Sequence, residues 1–403
     1  MEKLRALENV PGFKVATIAA NIRDWAKPRN DMALIVADAP ASTAGVFTQN
    51  QVAAAPVKLD RKHLKASGGI ARAILVNAGV ANACTGREGR GNAMKSIRRI
   101  ADKIKAPEEQ ILVASTGVIG RQLPMDNMNK GVDEAIAKLG QAKPGDFAKA
   151  IMTTDLKPKE ASLLLDSEDG VIISGACKGS GMIAPNMATM LAFILTNAAV
   201  SPKALKVALK ETADATFNMV SVDGDTSTND SLFVMASGVT DGPAIDKASG
   251  KRFDKFLAGL YEIAMSLSRQ IAMDGEGATK LVKIRVINAK KHKDAVAAAK
   301  TIAESPLVKT AMFGNDPNWG RIICALGRSA ARVDEGKVSM SLCGRRMFSK
   351  GAPVLFDAAE LSEMMKAKEI ELEVDIGLGK ADALMLTCDF SYDYVKINAD
   401  YTT

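Results

Sequence analysis

Hydrophobic and polar positions alternate along this chain between a strand-like and a helix-like period. An apolar run over 71–77 predicts a buried strand, which leads into a polar loop over 77–86. From about Asn92, the spacing of Met94, Ile97, Ala101 and Ile104 predicts a helix that Pro107 ends. A second apolar run over 111–115 predicts another buried strand, closed by Thr116 and Gly117, with a helix following near 132–139. The stretch 163–173 predicts a hairpin that turns at Asp169 and Gly170. Ser201 followed by Pro202 predicts a helix start, and Leu205, Leu209, Ala213 and Phe217 line its buried face. Phe253, Phe256, Leu257, Leu260, Ala264, Leu267 and Ile271 mark a long amphipathic helix. The alternation of Val282, Ile284 and Val286 with Lys283 and Arg285 predicts a strand with one wet face, as does that of Ile370, Leu372, Val374 and Ile376 with Glu371, Glu373 and Asp375. This mixture predicts an α/β protein of α+β layering, with helices packed over predominantly antiparallel or mixed sheets.

With 403 residues the chain is long enough for two domains, or three, each with a substantial core. An apolar fraction of 47% with 25% charge is that of a soluble globular protein. The longest apolar runs, 32–37 and 190–195, are six residues each, far short of a membrane span. No apolar stretch follows the charged N-terminus, so a cytoplasmic location is expected. The net charge of +7 suggests a basic surface, but aromatic residues are only 4% and offer few platforms for stacking bases. Nucleic acid is therefore not an expected partner, and small anionic substrates are.

Cysteine and histidine narrow the chemistry. Cys84, Cys177, Cys324, Cys343 and Cys388 lie far apart and form no CxxC pair, so reduced thiols and no metal are expected. The two histidines, His63 and His292, stand among lysines and arginines and read as solvated positions. Any acyl chemistry would then use a base other than histidine.

The segment 175–196 is the most unusual. Glycines cluster around Lys178, a polar loop leads to Ala188 and Thr189, and an apolar strand follows. Attack of the Thr189 hydroxyl on the Ala188 carbonyl would cut the chain. The freed α-amine of Thr189 would then sit beside its own hydroxyl as a base. An α-amine titrates near ~8 and takes a proton at neutral pH without histidine. The local pattern alone favours the plainer reading, a β-branched residue opening a strand. The glycines around Lys178 lack the spacing of a phosphate loop. Thr116 and Gly117 offer a hydroxyl and an unhindered N–H suited to an oxyanion hole, or a simple turn. The polar segments 153–155, 221–230, 273–280, 314–321 and 398–403 read as turns and helix ends, and 221–230 lacks the spacing of a calcium loop.

Lys178-Gly179-Ser180-Gly181-Met182-Ile183, followed by Met187-Ala188-Thr189-Met190-Leu191, resembles the self-cleavage region of the ornithine acetyltransferases. These are also called bifunctional glutamate N-acetyltransferases and belong to arginine biosynthesis. Seven further motifs, at 45–48, 54–57, 82–86, 115–120, 223–230, 274–280 and 316–321, stand in the family's order, so the resemblance spans nearly the whole chain. One departure is Asn77-Ala78-Gly79-Val80, where the family pattern has Asn-Ser-Gly-Asn.

The resemblance implies the family's own self-cleaving α/β fold. Cleavage between Ala188 and Thr189 would give an α-chain, 1–188, and a β-chain, 189–403, assembled as a heterotetramer of two each. Thr189 would be both the cleavage residue and the acyl-accepting nucleophile, with Thr116 and Gly117 as the oxyanion hole. Thr153, Lys178, Thr189, Glu276, Asn398 and Thr403 would hold the substrate. Lys178 suits an α-carboxylate, and Glu276 suits the side-chain ammonium of ornithine. Acetyl would pass from N-acetylornithine to Thr189 and then to glutamate in a ping-pong cycle. No cofactor is implied, with acetyl-CoA as an additional co-substrate at most. Two other classes stay open: an N-terminal-nucleophile hydrolase, aminopeptidase or amidase, in which water takes the acyl group, and a non-enzymatic protein that binds through its basic surface.

Overall fold

The computed structural model describes residues 6–166, 170–184 and 190–400. Its architecture is mixed, as expected, with two sheets and helices layered on them. The first sheet has the strand order Ile111–Val118, Ile70–Val80, Met32–Phe47, Ser231–Ala236, Leu191–Thr196, Val171–Lys178, Lys159–Asp166, and Phe13–Ile18 pairs beside Met32–Phe47. It is mixed: Ile70–Val80 with Ile111–Val118 and Leu191–Thr196 with Ser231–Ala236 are parallel pairs, and the other pairings are antiparallel. The run Met32 to Ala37 is apolar throughout because both faces of its strand are covered. Met32, Leu34 and Val36 join the core under the helices Gly86–Ile104 and Met125–Ala137, and Ala33, Ile35 and Ala37 join the opposite core around Phe147, Phe193 and Phe233.

The second sheet runs Ala352–Pro353, Arg345–Ser349, Ser339–Leu342, Glu369–Asp375, Leu281–Ala289, Ala381–Cys388, Val220–Ser221. The two alternating segments are its parallel central neighbours, with Ile284 opposite Leu372. Their apolar side chains lie under the alanine-rich helix His292–Ala303, whose Ala295, Ala298 and Ala299 are fully buried. The long helix Lys251–Met273 packs on both sheets and welds them into one body.

Several boundaries differ from the sequence reading. The helix expected from Asn92 begins at Gly86, because Gly86, Gly89 and Gly91 weaken the apolar period of its first turns. The expected strand 71–77 extends over Ile70–Val80, and the helix near 132–139 occupies Met125–Ala137. The hairpin is present as Lys159–Asp166 paired with Val171–Lys178, while Asp169 lies outside the described residues. Ser201 caps its helix as expected, its hydroxyl accepting from the Ala204 N–H at 3.3 Å. No helix among the described residues is long and apolar enough to cross a membrane.

Candidate active site

A cleft of about 230 Å³ opens beside the first sheet, between the segment 223–229, Glu276 and the C-terminal helix Tyr392–Asp400. Thr116, Gly117, Thr153, Lys178, Glu276 and Asn398 all line it. Six expected site residues from five separate stretches of chain therefore meet in one place. Ala188, Thr189 and Thr403 lie outside the described residues.

Thr116 and Gly117 were expected to close their strand. They lie within it instead, for Ile111–Val118 continues beside Ile70–Val80, with Thr116 opposite Ala78 and Gly117 opposite Gly79. Gly117 has φ +129, and a Cβ there would stand 2.2 Å from the Gly79 carbonyl carbon. Only glycine permits this approach of the two strands. Ser115 donates to Asn77 Oδ1 at 2.7 Å. The Asn229 side-chain amide donates to the carbonyls of Ala81 and Ser115 at 2.6 and 2.8 Å. Asn229 thus ties the end of one strand to the middle of the other beside the Thr116–Gly117 corner.

Lys178 ends the strand Val171–Lys178, opposite Leu191. Behind it lies a buried ionic cluster. Lys159, 1% exposed, donates to Asp155 at 2.7 Å and to Asp274 at 2.6 Å, and Lys178 Nζ is 4.0 Å from Asp155. Asp155 also accepts from the N–H groups of Gly179 at 2.7 Å and Thr153 at 3.0 Å. Burial alone would raise the Asp155 pKa, but Lys178, Lys159 and the Gly179 N–H pull it down to about 2. The carboxylate is therefore charged at neutral pH and fixes Thr153 and Lys178 to one point. Burial pushes the neighbouring Cys177 thiol up to about 12, so it stays protonated and is no nucleophile.

Glu276 enters the cleft from the other side. Its N–H donates to the Ser180 carbonyl at 2.9 Å, and Asn398 donates to its carboxylate at 3.0 Å. A Cβ on Gly181 would stand 2.2 Å from that carboxylate, so glycine there makes room for the acid. Lys178 and Glu276 present a cation and an anion to one small volume, an arrangement complementary to an amino acid.

The described residues on both sides of 185–189 are anchored to a single segment. Asp223 accepts from the N–H groups of Met182 at 2.5 Å and Ile183 at 2.8 Å, and Thr226 donates to the Ala184 carbonyl at 2.8 Å. On the other side, the Met190 carbonyl accepts from the Ser231 N–H at 3.1 Å. Burial raises the Asp223 carboxyl to about 6 despite these N–H bonds. Tyr394 lines the cleft with its phenol pushed up to about 12 by burial and by Asp223, Asp225 and Glu276, so it remains a hydrogen-bond donor.

The histidine reading is corrected in part. His292 is exposed, but His63 is buried at 6% and its Nδ1 is 2.9 Å from the Ile111 carbonyl. Helix Ala55–Ala66 turns His63 inward, although its neighbours Arg61 and Lys62 are solvated. Neither histidine lines the cleft. Among the described residues, no group of His, Cys, Asp and Glu is placed to hold a metal ion. Sequence reasoning missed Asp155, Asp223, Asn229 and Tyr394. Asp223 and Asn229 stand in the oxygen-rich segment 221–230, and that density of side-chain oxygens was the available signal.

The family model described as the ArgJ family matches residues 14–403. The arginine biosynthesis bifunctional protein ArgJ of Geobacter sulfurreducens is 45% identical over 398 residues, covering 98% of this chain and 100% of its own. Its counterpart from Symbiobacterium thermophilum is 44% identical over 393 residues, or 97% of each chain. The crystal structure of the ArgJ protein from Bacillus halodurans aligns with a TM-score of 0.52 at 38% identity, covering 53% of this chain and 100% of that one. With the family model matched from Lys14 onward and such relatives similar along nearly their full length, the chain belongs to the ArgJ family, enzymes of arginine biosynthesis whose motifs its own segments share.

Proposed function

We propose that the cleft transfers acetyl from N-acetylornithine to glutamate through an acyl-enzyme on Thr189. The Thr189 hydroxyl first attacks the Ala188 carbonyl carbon; the Ala188–Thr189 amide bond breaks, and the Thr189 nitrogen takes the hydroxyl proton. Water then hydrolyses the resulting ester and frees a chain that starts at Thr189. In turnover the α-amine accepts the hydroxyl proton while Oγ attacks the acetyl carbon of N-acetylornithine, and ornithine leaves with that proton. The glutamate amine then attacks the acetyl ester and restores the hydroxyl. Thr116 and Gly117 stabilise the oxyanion of each tetrahedral intermediate. Lys178 holds the substrate α-carboxylate, Glu276 the ornithine ammonium, and Thr153, Asn398 and Thr403 complete the pocket.

The observation that carries this reading is the convergence of Thr116, Gly117, Thr153, Lys178, Glu276 and Asn398 on one cleft. The two chains would be 1–188 and 189–403. The second is 215 of 403 residues, about 53%, and the solved Bacillus halodurans chain corresponds in length to that share. The first sheet would be built from both, since Val171–Lys178 pairs with Leu191–Thr196. Two copies of each chain would associate in the cytoplasm, and acetyl-CoA would serve as a second acetyl donor. The test is release of N-acetylglutamate from N-acetylornithine with and without glutamate. Transfer only when glutamate is present supports the reading; release of free acetate at the same rate without glutamate would instead show a hydrolase.

A further inference from the structure

A second cavity, of about 580 Å³, is lined by Cys84, Thr85 and Gly86, a few residues along the chain from Ala81 of the cleft. Its charged lining is wholly basic: Lys58 and Lys62 from helix Ala55–Ala66, and Arg87 and Arg90 from helix Gly86–Ile104. Lys58 and Lys62 are four residues apart and Arg87 and Arg90 three, so each pair shares a helix face. Like charges at this spacing disfavour a helix. Two such pairs facing one cavity make a strongly positive site, and no ion pair to any of the four occurs among the described residues. Glu88, on the same helical turn as Arg87, does not line it.

The cavity is close to the chemistry. Ala81 lines the catalytic cleft and Cys84 lines the basic cavity, so three residues of chain, at most ~11 Å, separate the two. The wall between them is thin: Ala54, Ala81 and Ala83 pack against Ile119, and the Gly120 N–H donates to the Ala83 carbonyl at 2.9 Å. A ligand with phosphates in the basic cavity and a long neutral arm over this wall would deliver an acyl group to the Thr116–Gly117 corner. We infer that Lys58, Lys62, Arg87 and Arg90 bind the phosphates of acetyl-CoA, the diphosphate and ribose phosphate of one molecule. The inference rests on the reading of acetyl-CoA as second donor. In that half-reaction the thioester C–S bond breaks, the acetyl–Oγ bond forms on Thr189, and the thiol leaves with the hydroxyl proton.

The test compares wild type with Lys62→Glu/Arg90→Glu, and with the milder Lys62→Ala in case the double variant does not fold. Binding of CoA is followed by titration calorimetry, with inorganic pyrophosphate as a second probe. Transfer to glutamate is measured from both acetyl-CoA and N-acetylornithine. Wild type is expected to bind CoA more tightly than pyrophosphate, with affinity falling as salt rises. The double variant is expected to weaken CoA binding and raise the acetyl-CoA KM by about tenfold or more, and Lys62→Ala by about threefold, as lost charge-assisted contacts would. The kcat/KM for N-acetylornithine should stay within about twofold. The inference is overturned if wild type fails to bind CoA at millimolar concentration, if pyrophosphate binds as tightly as CoA, if charge reversal leaves CoA binding unchanged, or if both donors lose activity equally. CoA binding that is lost on charge reversal without any transfer from acetyl-CoA would support the site and overturn the second-donor reading alone. Absence of transfer from N-acetylornithine in wild type would overturn the proposed function, and leave the binding result to stand on its own.

Discussion

Asp155→Asn is the most informative single change behind the site. The carboxylate accepts from Lys159 at 2.7 Å, from the Gly179 and Thr153 N–H groups, and faces Lys178 at 4.0 Å. Asparagine keeps the shape and one acceptor oxygen but removes the charge. The folded pKa of about 2 against an ordinary 3.8 corresponds to about 2 kcal/mol at 1.36 kcal/mol per unit. Because the folded value is depressed, that stability is present above about pH 4 and is lost as pH falls towards about 2. Lys159, 1% exposed, would keep Asp274 as its one carboxylate partner, beside the Lys157 carbonyl, and breaking a buried pair costs about 3–5 kcal/mol. The expected loss at pH 7 is therefore about 2–4 kcal/mol, read as a fall of several degrees in melting temperature by scanning calorimetry. The deficit relative to wild type should shrink on acidification below about pH 4. With Lys178 and Thr153 released from their common anchor, the KM for N-acetylornithine should rise more than kcat falls. A melting temperature unchanged at pH 7, or a deficit that does not vary with pH, would refute this account of the cluster.

Three other expectations follow. Thr116→Ala should lower kcat by about 10²–10³ with KM nearly unchanged, as loss of one oxyanion donor does, and an effect confined to KM would make Thr116 a ground-state contact. His63→Gln should lower the melting temperature, since a buried hydrogen bond to Ile111 is lost, while His292→Gln should not; in both, activity should still rise with pH through one ionisation near or below the ~8 of an α-amine, and abolition of that limb would place a histidine in the mechanism. Asp223 titrates at about 6, above its ordinary 3.8, so folding favours its protonated form and its contribution to stability falls as pH rises from about 4 to 6; Asp223→Asn should gain in melting temperature relative to wild type between pH 4 and 7, and a constant difference would contradict the raised value.

The layering and most elements were legible because their signals are local. The one-sided strands Leu281–Ala289 and Glu369–Asp375, the Ser201 cap and the long helix Lys251–Met273 each show their periodicity in sequence. The glycine-rich first turn of Gly86–Ile104 was not, since its burial comes from tertiary packing rather than from an apolar stripe. His63 was misread for a related reason: charged neighbours at adjacent positions say nothing about the one face of helix Ala55–Ala66 that turns inward. The six described site residues were named through the family resemblance, and their residue types alone read equally as turns. Asp155 and Asn229 were missed because their roles depend on partners distant in sequence, Lys178 and Gly179 for the first and Ala81 and Ser115 for the second, which no local pattern brings together.

The central claim is an acetyl ester on Thr189 that only glutamate, and not water, discharges efficiently. Intact-mass spectrometry of purified protein mixed with N-acetylornithine tests it directly, with Thr189→Ala as the control. The account predicts two fragments for wild type, split before Thr189, with one acetyl group on the fragment that begins there. Adding glutamate should remove that acetyl group and release N-acetylglutamate, while Thr189→Ala stays whole and unacetylated. An uncleaved wild-type chain, an acetyl group on the other fragment, or loss of the acetyl as acetate at the same rate without glutamate would contradict it.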